Sequence, residues 1–528
     1  MKPSLQRLGA AYGNLAGAVA ILAGAVALRV LTGVGFLNYD TLYALVWGQQ
    51  LARGETPQYG LPVAPTPHPL AEALGAALAP LGPHAAEQVV LALAFLALAA
   101  CGWVLYRLGS LWFNRAAGAL AALLLLTRVP VLSYGVRAYL DVPYLLAVLC
   151  ALLVECRRSR AGAPVLALLA LAGLLRPEAW VFAGGYWVYL AWPRLLPVLP
   201  PLGREHERTP PPPQRTTREL VWLALLAAAA PLLWVASDWA VTGNPLWSLT
   251  NTRHTAAELH RARGIGAVPE YVPRRIGEVL GPAGLAAAAA GVVLAVLWLR
   301  VRGPAAPGPG AAEGRHPTGD EGHATADRRR PTAVGLAAGV VAVAVFAALS
   351  AAGLPIDERY AFPAATIGCV FAGGALCGWA SLPRGTPMRR RWGLAAAAVG
   401  IALLATAPAQ YRTAHRQLDA LARQQRAAGD LVALVRAGAL TTRCGPVGVP
   451  NHAPIPLLAL WLRTPPADVV SAQVRALARG TYVDAATPEV RRDYVLDPAD
   501  PNRPVTVPPG FAPVGANRSW RVYRRCRE

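Results

Sequence analysis

Two acidic residues lie at the ends of apolar segments, an unusual setting for a carboxylate. Asp40 follows the first long apolar run, in "LTGVGFLNYDTLYALVWGQQLARGE". Asp141 lies about one helical turn inside a later run, in "SYGVRAYLDVPYLL". A carboxylate held beside a hydroxyl acts as a general base, and ionisable groups in apolar surroundings are costly and usually functional. We therefore take Asp40 and Asp141 as candidate catalytic residues.

Each acid also has a structural interpretation. Asp40 is a candidate N-cap of the helix predicted after it, a position that Asp often fills, and this role does not exclude catalysis. Arg137 precedes Asp141 by four residues, so the two side chains would neutralise each other as an i,i+4 pair. Both alternatives stay open on the sequence alone.

Further polar side chains are predicted at the same level as the two acids. Each of them alone is a weak signal of function, and their shared depth on one face of the membrane is a stronger one. They are His68 in "PTPHPL", Arg137, Arg176 and Glu178 in "LLRPEAW", and Arg359 and Tyr360 in "LPIDERYAFPA". Because they share this depth on one face of the membrane, they are predicted to line one site. Glu178 after Pro177 is also an ordinary helix start, and Arg359 would also mark a span boundary.

The elements that must position these side chains are membrane spans. The chain of 528 residues is 55% hydrophobic and 15% charged, with a mean hydropathy of +0.37. This composition excludes an ordinary soluble protein, and about 20 apolar residues suffice to cross a bilayer. About eleven spans are predicted, at residues 14–36, 86–107, 115–133, 139–155, 162–176, 178–193, 219–241, 281–300, 333–352, 361–380 and 393–409. Pro177 either kinks one long helix or begins a second.

The distribution of basic residues predicts the orientation. With the N-terminus inside, the inner segments hold 22 Lys and Arg residues and the outer side of the same region about 10. The net charge of +21 is then explained largely by the positive-inside bias and anionic lipid, and a nucleic-acid partner is not needed. The N-terminus "MKPSLQRLGAAYG" reads as the start of an uncleaved first span. With eleven spans the C-terminus lies outside.

The loops predict two domains, a membrane domain at 1–409 and a small extracytoplasmic α/β domain at 410–528. The first outer loop, 37–85, is amphipathic, and Tyr43, Trp47 and Leu51 form a stripe typical of a helix lying in the membrane interface. Inner segments 194–218 and 302–332 have the Pro-, Gly- and charge-rich composition of disordered linkers. In the tail, "CGPVGVP" and "SWRVYRRC" are predicted strands and "APIPLLALWL" a helix. The fold class predicted is therefore an all-α polytopic membrane protein with a small α/β tail.

Two of the seven cysteines differ from the rest. Cys101, Cys150, Cys156, Cys369 and Cys377 lie in or beside spans, where a small apolar residue needs no special role. Cys444 and Cys526 flank predicted strands of the outer tail. Because an oxidising compartment favours disulfides, these two are predicted to pair.

The combination resembles the GT-C class of membrane glycosyltransferases, in particular the protein O-mannosyltransferase and aminoarabinose-transferase branch. The resemblance rests on the acid after span one, the long first outer loop with "PTPHPL", the acid at the junction of spans three and four, and "ERYAFPA". It covers roughly residues 14–410. Many relatives have an Asp-Glu pair in the first loop, whereas this chain has "NYDT".

The resemblance implies a polyprenyl-phosphate sugar donor and transfer with inversion at the outer face of the membrane. The position matching the family's catalytic acid is Asp40. Arg359 and Arg176 would hold the phosphate, and Asp141 would orient the acceptor or, if a divalent ion such as Mg²⁺ or Mn²⁺ takes part, join its ligands. The acceptor would be a glycan, lipid or protein, and the location a bacterial cell membrane.

Two other functions stay open. A transporter or lipid flippase would often show paired inverted repeats with broken helices, which the sequence does not show, and it would not need a folded outer tail. A non-catalytic envelope assembly protein would leave Asp40 and Asp141 unexplained.

Overall fold

The computed structural model describes residues 2–195, 215–258, 260–300, 320–492 and 506–526. The helices of the membrane region are α1 (Lys2–Thr32), α2 (Tyr39–Ala52), α3 (Pro69–Leu78), α4 (Gly82–Trp112), α5 (Arg115–Leu126), α6 (Val129–Val136), α7 (Asp141–Arg157), α8 (Ala163–Leu175), α9 (Glu178–Leu195), α10 (Thr217–Thr242), α11 (Trp247–Glu258), α12 (Val268–Leu280), α13 (Pro282–Arg300), α14 (Asp320–Ala351), α15 (Phe362–Cys377) and α16 (Pro387–Arg436). The tail adds α17 (Ile455–Leu462), a single turn α18 (Pro488–Val490), and strands β1 (Val447–Val449), β2 (Val469–Ser471), β3 (Gly480–Ala485), β4 (Ala512–Ala516) and β5 (Trp520–Arg525).

Most of the predicted spans correspond to helices able to cross a bilayer. Seven described stretches are long and apolar enough: Leu15–Thr32, Pro69–Trp112, Thr217–Thr242, Pro282–Arg300, Arg328–Ala351, Glu358–Ser381 and Pro387–Arg436. α5 and α6 are bent by 65° and add an eighth if they form one span. The other three predicted spans fall on α7, α8 and α9. α8 has 13 residues and is about 20 Å long, less than the roughly 30 Å of the hydrocarbon core. A multi-pass membrane protein is confirmed, and a count of eleven stays a prediction.

The helical interior depends on close approaches between α5, α13 and α15. Gly291 on α13 faces the backbone of Phe371 on α15, and Gly373 on α15 faces the backbone of Ala117 on α5. A Cβ at either glycine would overlap a carbonyl oxygen. Small residues permit such backbone contacts in membrane helices. The short 3₁₀ turn Glu358–Ala361, which directly precedes α15, is thereby attached to a tightly packed helix.

The break between α8 and α9 and the start of α7 place candidate site residues at one end of the bundle. α8 ends before Arg176, whose backbone is extended, and α9 begins at Glu178, so Pro177 separates two helices and does not kink one. α7 begins with Asp141 and runs antiparallel beside α8. Asp141 at the start of α7 and Arg176 at the end of α8 therefore lie at the same end of the bundle.

The first outer loop is folded over the membrane helices, and α2 does not lie in the interface as predicted. Its residues from Thr41 to Gln50 are all buried. Tyr43 and Trp47 are fully buried, whereas Leu51 is exposed, so the three do not share one half-buried face. α2 packs against α3 and against α17 of the tail. The tail thus covers the face of α2 that the sequence alone would assign to lipid.

The tail is a small α/β unit. Its sheet has the order β2-β1-β3-β5-β4, in which β1 pairs in parallel with β2 and β3, and β5 is antiparallel to β3 and β4. α16 is continuous through residue 409, so the last span leads into the tail without a break. Cys444 and Cys526 form a disulfide. The predicted fold class and the predicted disulfide are confirmed.

The predicted inner linkers fall mostly on residues 196–214 and 301–319, which lie outside the described ranges. Both helices that follow begin within the predicted linkers. α10 starts at Thr217, where the side chain of Thr216 accepts a hydrogen bond from the backbone of Glu219, and α14 starts at Asp320.

Candidate active site

Asp40 lies in the first turn of α2, but it is not the N-cap. Asn38 is the N-cap, because its Oδ1 accepts hydrogen bonds from the backbone N–H groups of Asp40 at 2.8 Å and Thr41 at 3.2 Å. The Asn38 backbone N–H also donates to the Arg137 carbonyl oxygen at 2.9 Å, which joins the first loop to the turn before α7. The N-cap interpretation of Asp40 is therefore wrong. Its carboxylate is half-buried and available for another partner.

That partner is Arg359. Arg359 Nη1 lies 3.4 Å from Asp40 Oδ2, and Nη2 lies 3.5 Å from Asp357 Oδ2. Asp357 also forms an ion pair of 3.0 Å with Arg261. The guanidinium of Arg359 thus bridges α2 and the segment before α15, two parts of the chain that are far apart in sequence.

Asp141 pairs with Arg176 and not with Arg137. Arg176 Nη2 lies 3.3 Å from Asp141 Oδ1 and 3.1 Å from Glu178 Oε1, and all three side chains are buried. Arg137 donates to the carbonyl and hydroxyl oxygens of Ser133 and lies over the ring of Tyr139. The i,i+4 interpretation of Arg137 and Asp141 is therefore wrong.

Tyr360 joins the two ion-pair groups into one cluster. The Arg176 guanidinium carbon lies 5.0 Å from the centre of its ring, and that of Arg359 lies 5.6 Å from the same centre. Such distances are typical of cation–π contacts. One aromatic ring therefore holds two guanidinium groups near each other, although like charges repel.

Several buried polar atoms of this cluster have no hydrogen-bond partner within the described protein. They are Arg176 Nε, Glu178 Oε2, Arg359 Nε, His68 Nδ1 and Asp141 Oδ1, whose contact of 3.3 Å with Arg176 is an ion pair without hydrogen-bond geometry. Buried polar groups are nearly always paired, so a concentration of unpaired ones at one place is typical of a site that receives a ligand. Both Nε donors belong to the arginines on Tyr360.

His68 is buried beside the cluster. It directly precedes α3, and its ring packs edge-on against Trp234 at 5.8 Å. Burial, together with the positive charge of Arg176, lowers the pKa of His68 to about 3. The imidazole is therefore neutral at physiological pH. A neutral ring can both donate and accept hydrogen bonds without adding charge to the site.

A cavity of about 700 Å³ lies between the first outer loop, the start of α4 and the tail, and its lining includes none of Asp40, Asp141 and Arg359. Asn38 and Tyr39, the two residues directly before Asp40, form part of its wall. The other polar and aromatic residues that line it are Phe36, His84, Glu87, Gln88, Arg137, Tyr139, Gln424, Gln425, Arg436 and Trp461. The cavity is large enough for a small organic ligand.

Asp141 is held by a guanidinium and not by a set of metal ligands. In the part of the chain that the structure describes, no group of three or more His, Cys, Asp or Glu side chains is arranged to hold a metal ion. The carboxylates of Asp141 and Asp40 form ion pairs with Arg176 and Arg359. The divalent ion that the resemblance allowed stays a prediction.

The structure brings together nearly all candidate residues predicted from the sequence. Asp40, Asp141, Arg176, Glu178, Arg359, Tyr360 and His68 lie at the cluster, and Arg137 lies beside it on the cavity wall. Two residues of the site were not among the candidates. Asp357, which pairs with Arg359, lies in the "LPIDERY" segment, and Asn38 had a sequence signal, an Asn directly before a predicted helix.

The many-helix membrane region, the folded first outer loop and the small α/β tail together form a fold that is also found in solved structures. Two crystal structures of ArnT from Cupriavidus metallidurans share this fold. The structure with bound undecaprenyl phosphate has a TM-score of 0.52 at 15% identity and covers 96% of this chain and 97% of its own. The apo structure has a TM-score of 0.51 at 16% identity and covers 97% and 98%. No protein-family model matches the sequence, and no curated protein matches it either. The predicted fold is confirmed over nearly the whole chain.

Proposed function

We propose that this protein is a membrane glycosyltransferase that moves a sugar from a polyprenyl-phosphate donor to a hydroxyl group of an acceptor. The observation that carries the proposal is the position of two arginines on one ring beside a first-loop carboxylate. Arg176 and Arg359 both contact Tyr360, both have an unbonded Nε donor, and Arg359 also contacts Asp40.

The two arginines suit the phosphate of a lipid-linked donor. A guanidinium presents donors in a planar fork that matches phosphate oxygens, and two such groups at one place bind a phosphate from two sides. The presence of undecaprenyl phosphate in one ArnT structure with the same fold supports a donor of this class. A lipid-linked donor also reaches a site at the end of membrane helices by diffusing within the bilayer.

The transfer is a single displacement. The acceptor hydroxyl oxygen attacks the anomeric carbon, the bond from that carbon to the phosphate oxygen breaks, and the phosphate leaves with the bonding electrons. Asp40 takes the hydroxyl proton as general base. Arg359 and Arg176 stabilise the negative charge on the leaving phosphate. Attack from the side opposite the phosphate inverts the anomeric centre.

Three further residues position these groups. Asp141 and Glu178 both pair with Arg176 and fix its guanidinium on Tyr360. Asp357 holds Arg359 in the same way. The Arg359 guanidinium is therefore positioned by Asp357 as well as by Asp40. His68 stays neutral and lines the same site, where it can exchange hydrogen bonds with a substrate hydroxyl.

The acceptor enters through the 700 Å³ cavity between the first outer loop and the tail. Its wall includes Asn38 and Tyr39, the two residues that precede Asp40 in the chain. We propose that an acceptor bound in the cavity reaches Asp40 past these two residues. Following the positive-inside distribution, we place the N-terminus in the cytoplasm of a bacterial cell and residues 410–528 outside it.

The experiment is transfer from a polyprenyl-phosphate sugar by purified Asp40→Asn protein. We expect transfer to be lost while insertion and melting temperature are kept, because Asn has the same size but cannot accept the proton. Glu55→Gln is the matched control, since Glu55 is an exposed acid of the same loop paired only with Arg53. Full activity of Asp40→Asn would contradict the role of Asp40 as base. Failure of the wild-type protein to use any polyprenyl-phosphate sugar would contradict the donor class.

A further inference from the structure

A second cavity lies at the other end of the membrane bundle. It has a volume of about 890 Å³ and is bounded by the loop between α7 and α8 and by the start of α10. α7 runs from Asp141 to Arg157, and α8 runs back from Ala163 to Leu175. The site cluster lies at one end of both helices and this cavity at the other, so the two are separated by roughly 20 Å or more of helix.

The cavity is strongly cationic. Arg158, Arg160, Arg215 and Arg218 line it, and Glu219 is the one acidic residue in the lining. Glu219 is already paired with Arg215. Arg158 and Arg218 are exposed and form no ion pair with a described residue. A recess with four guanidinium groups attracts an anion.

The loop that carries Arg158 and Arg160 is built and held in place by Glu155. This buried carboxylate accepts hydrogen bonds from the backbone N–H groups of Arg160 at 2.8 Å and Ala161 at 3.2 Å, and from the hydroxyl of Tyr186 at 2.7 Å. It also forms an ion pair of 3.5 Å with Arg330 on α14. Three helices, α7, α9 and α14, therefore hold this short loop in place, which is more than the positive-inside bias requires.

Two helix N-termini add to the positive potential. Gly162 precedes α8 without a side-chain cap, and Thr216 caps α10, and the first residues of both helices line the cavity. Both helices are long enough for their dipoles to favour a negative charge at this end. The arginines and the helix termini act on the same volume.

The cavity also has an apolar side. Trp222 and Leu223 on α10 are part of its lining, and Trp222 is 62% exposed although it is a large aromatic residue. Val221 beside it is 54% exposed. An exposed apolar strip on a membrane helix directly beside a cationic recess suits a ligand with a charged head and a hydrocarbon tail.

We propose that this cavity binds the phosphate head group of an anionic membrane lipid, with its acyl chains along the exposed face of α10. Basic recesses between membrane helices are known to hold such head groups. The site is separate from the transferase cluster and does not depend on the proposed reaction. It fixes one lipid at the loop that connects α7 and α8, the two helices that carry Asp141 and Arg176 at their other ends.

The test is lipid binding to the purified full-length protein, titrated in detergent with phosphatidylglycerol or phosphatidylcholine and read by native mass spectrometry. We expect one phosphatidylglycerol to bind preferentially. In the double variant Arg158→Gln/Arg218→Gln its affinity should fall by about thirtyfold, from the loss of two cationic contacts near a membrane surface. Among the described residues neither side chain has an ion-pair partner that the change would leave unpaired, and the melting temperature checks the fold.

The matched control is Arg390→Gln/Arg391→Gln. These arginines are also exposed, and they lie at the start of α16, at the same end of the bundle as the cavity, but not in its lining. The control removes the same charge and should leave the affinity within about twofold. Equal losses in both double variants would show diffuse attraction and overturn the site. Displacement of the lipid by millimolar inorganic phosphate would overturn the proposal that the occupant is a lipid.

Discussion

Asp141 forms its ion pair with Arg176, across the contact between α7 and α8, and not with Arg137 in the adjacent turn. Glu178 shares the same guanidinium. A buried arginine between two buried carboxylates is a constraint on both helices, because a charge left without its partner in this environment is costly.

Removal of the Arg176 charge should destabilise the protein strongly. In Arg176→Gln the carboxylates of Asp141 and Glu178 lose their shared partner, and we expect a loss of about 3–5 kcal/mol in the free energy of unfolding. Thermal or denaturant unfolding in detergent measures it. Arg53→Gln, which breaks the exposed pair with Glu55, should cost at most about 1 kcal/mol. Equal, small effects of both changes would contradict a buried ion-pair group.

A substitution at Arg359 that keeps the positive charge should weaken donor binding more than it lowers the stability of the protein. Arg359→Lys retains a cation but loses the planar fork and its contact with the Tyr360 ring. We expect the donor KM to rise by about tenfold or more, since a point charge cannot bind phosphate oxygens bidentately. Steady-state transfer kinetics with a polyprenyl-phosphate sugar measure it. A matched substitution, Arg261→Lys, alters the outer partner of Asp357 and should change KM much less. An unchanged KM in Arg359→Lys would exclude Arg359 as the phosphate ligand.

The residues of the site could be predicted from the sequence, but their pairing could not. Asp40, Asp141, Arg176 and Arg359 were recognisable because charged residues are rare beside long apolar segments. Which carboxylate contacts which arginine depends on how α7, α8 and the segment before α15 meet. In sequence Arg137 is the nearer cation to Asp141, yet the ring of Tyr139 and the oxygens of Ser133 hold its guanidinium.

The fold was predictable to a similar degree. Hydropathy alone indicates a polytopic helical protein, since a bilayer requires long apolar helices. It misassigned α2, because an apolar stripe on a helix has the same pattern whether lipid or protein covers it. Tyr43 and Trp47 are buried, with Tyr59 of the first loop against the Trp47 ring, and α2 as a whole packs against α3 and against α17 of the tail. Only the tertiary structure distinguishes these two surroundings.

Protonation of His68 should make the protein less stable at acidic pH. Its pKa in the folded protein, lowered mainly by burial, is about 3, whereas an unfolded His has a pKa of about 6.5. Between these values the unfolded chain binds more protons, so stability is fully present above pH 6.5 and is lost as the pH falls toward 3. From pH 7 to pH 5 the loss attributable to His68 should be about 2 kcal/mol.

The measurement is the free energy of unfolding as a function of pH for wild type and His68→Gln. The variant should lose this part of the pH dependence, whatever its absolute stability. His415→Gln, at an exposed position on α16, serves as the control and should keep the wild-type slope. An identical slope for wild type and His68→Gln would show that His68 is not held neutral by its surroundings.

The disulfide between Cys444 and Cys526 should stabilise the tail. Cys444 precedes β1 and Cys526 follows β5, so the bond closes a loop with a sequence separation of 82 residues around the whole sheet. Closing a loop of this length restricts the unfolded chain, and we expect Cys444→Ser/Cys526→Ser to lower tail stability by about 2–4 kcal/mol.

Pulse proteolysis of the full-length protein measures this loss of stability. The control is Cys377→Ser, which changes a free cysteine. The membrane helices should keep their protease resistance in both variants, because the tail sheet and the α5, α13 and α15 core are separate. Labelling of both tail cysteines by a thiol reagent in unreduced protein would contradict the bond.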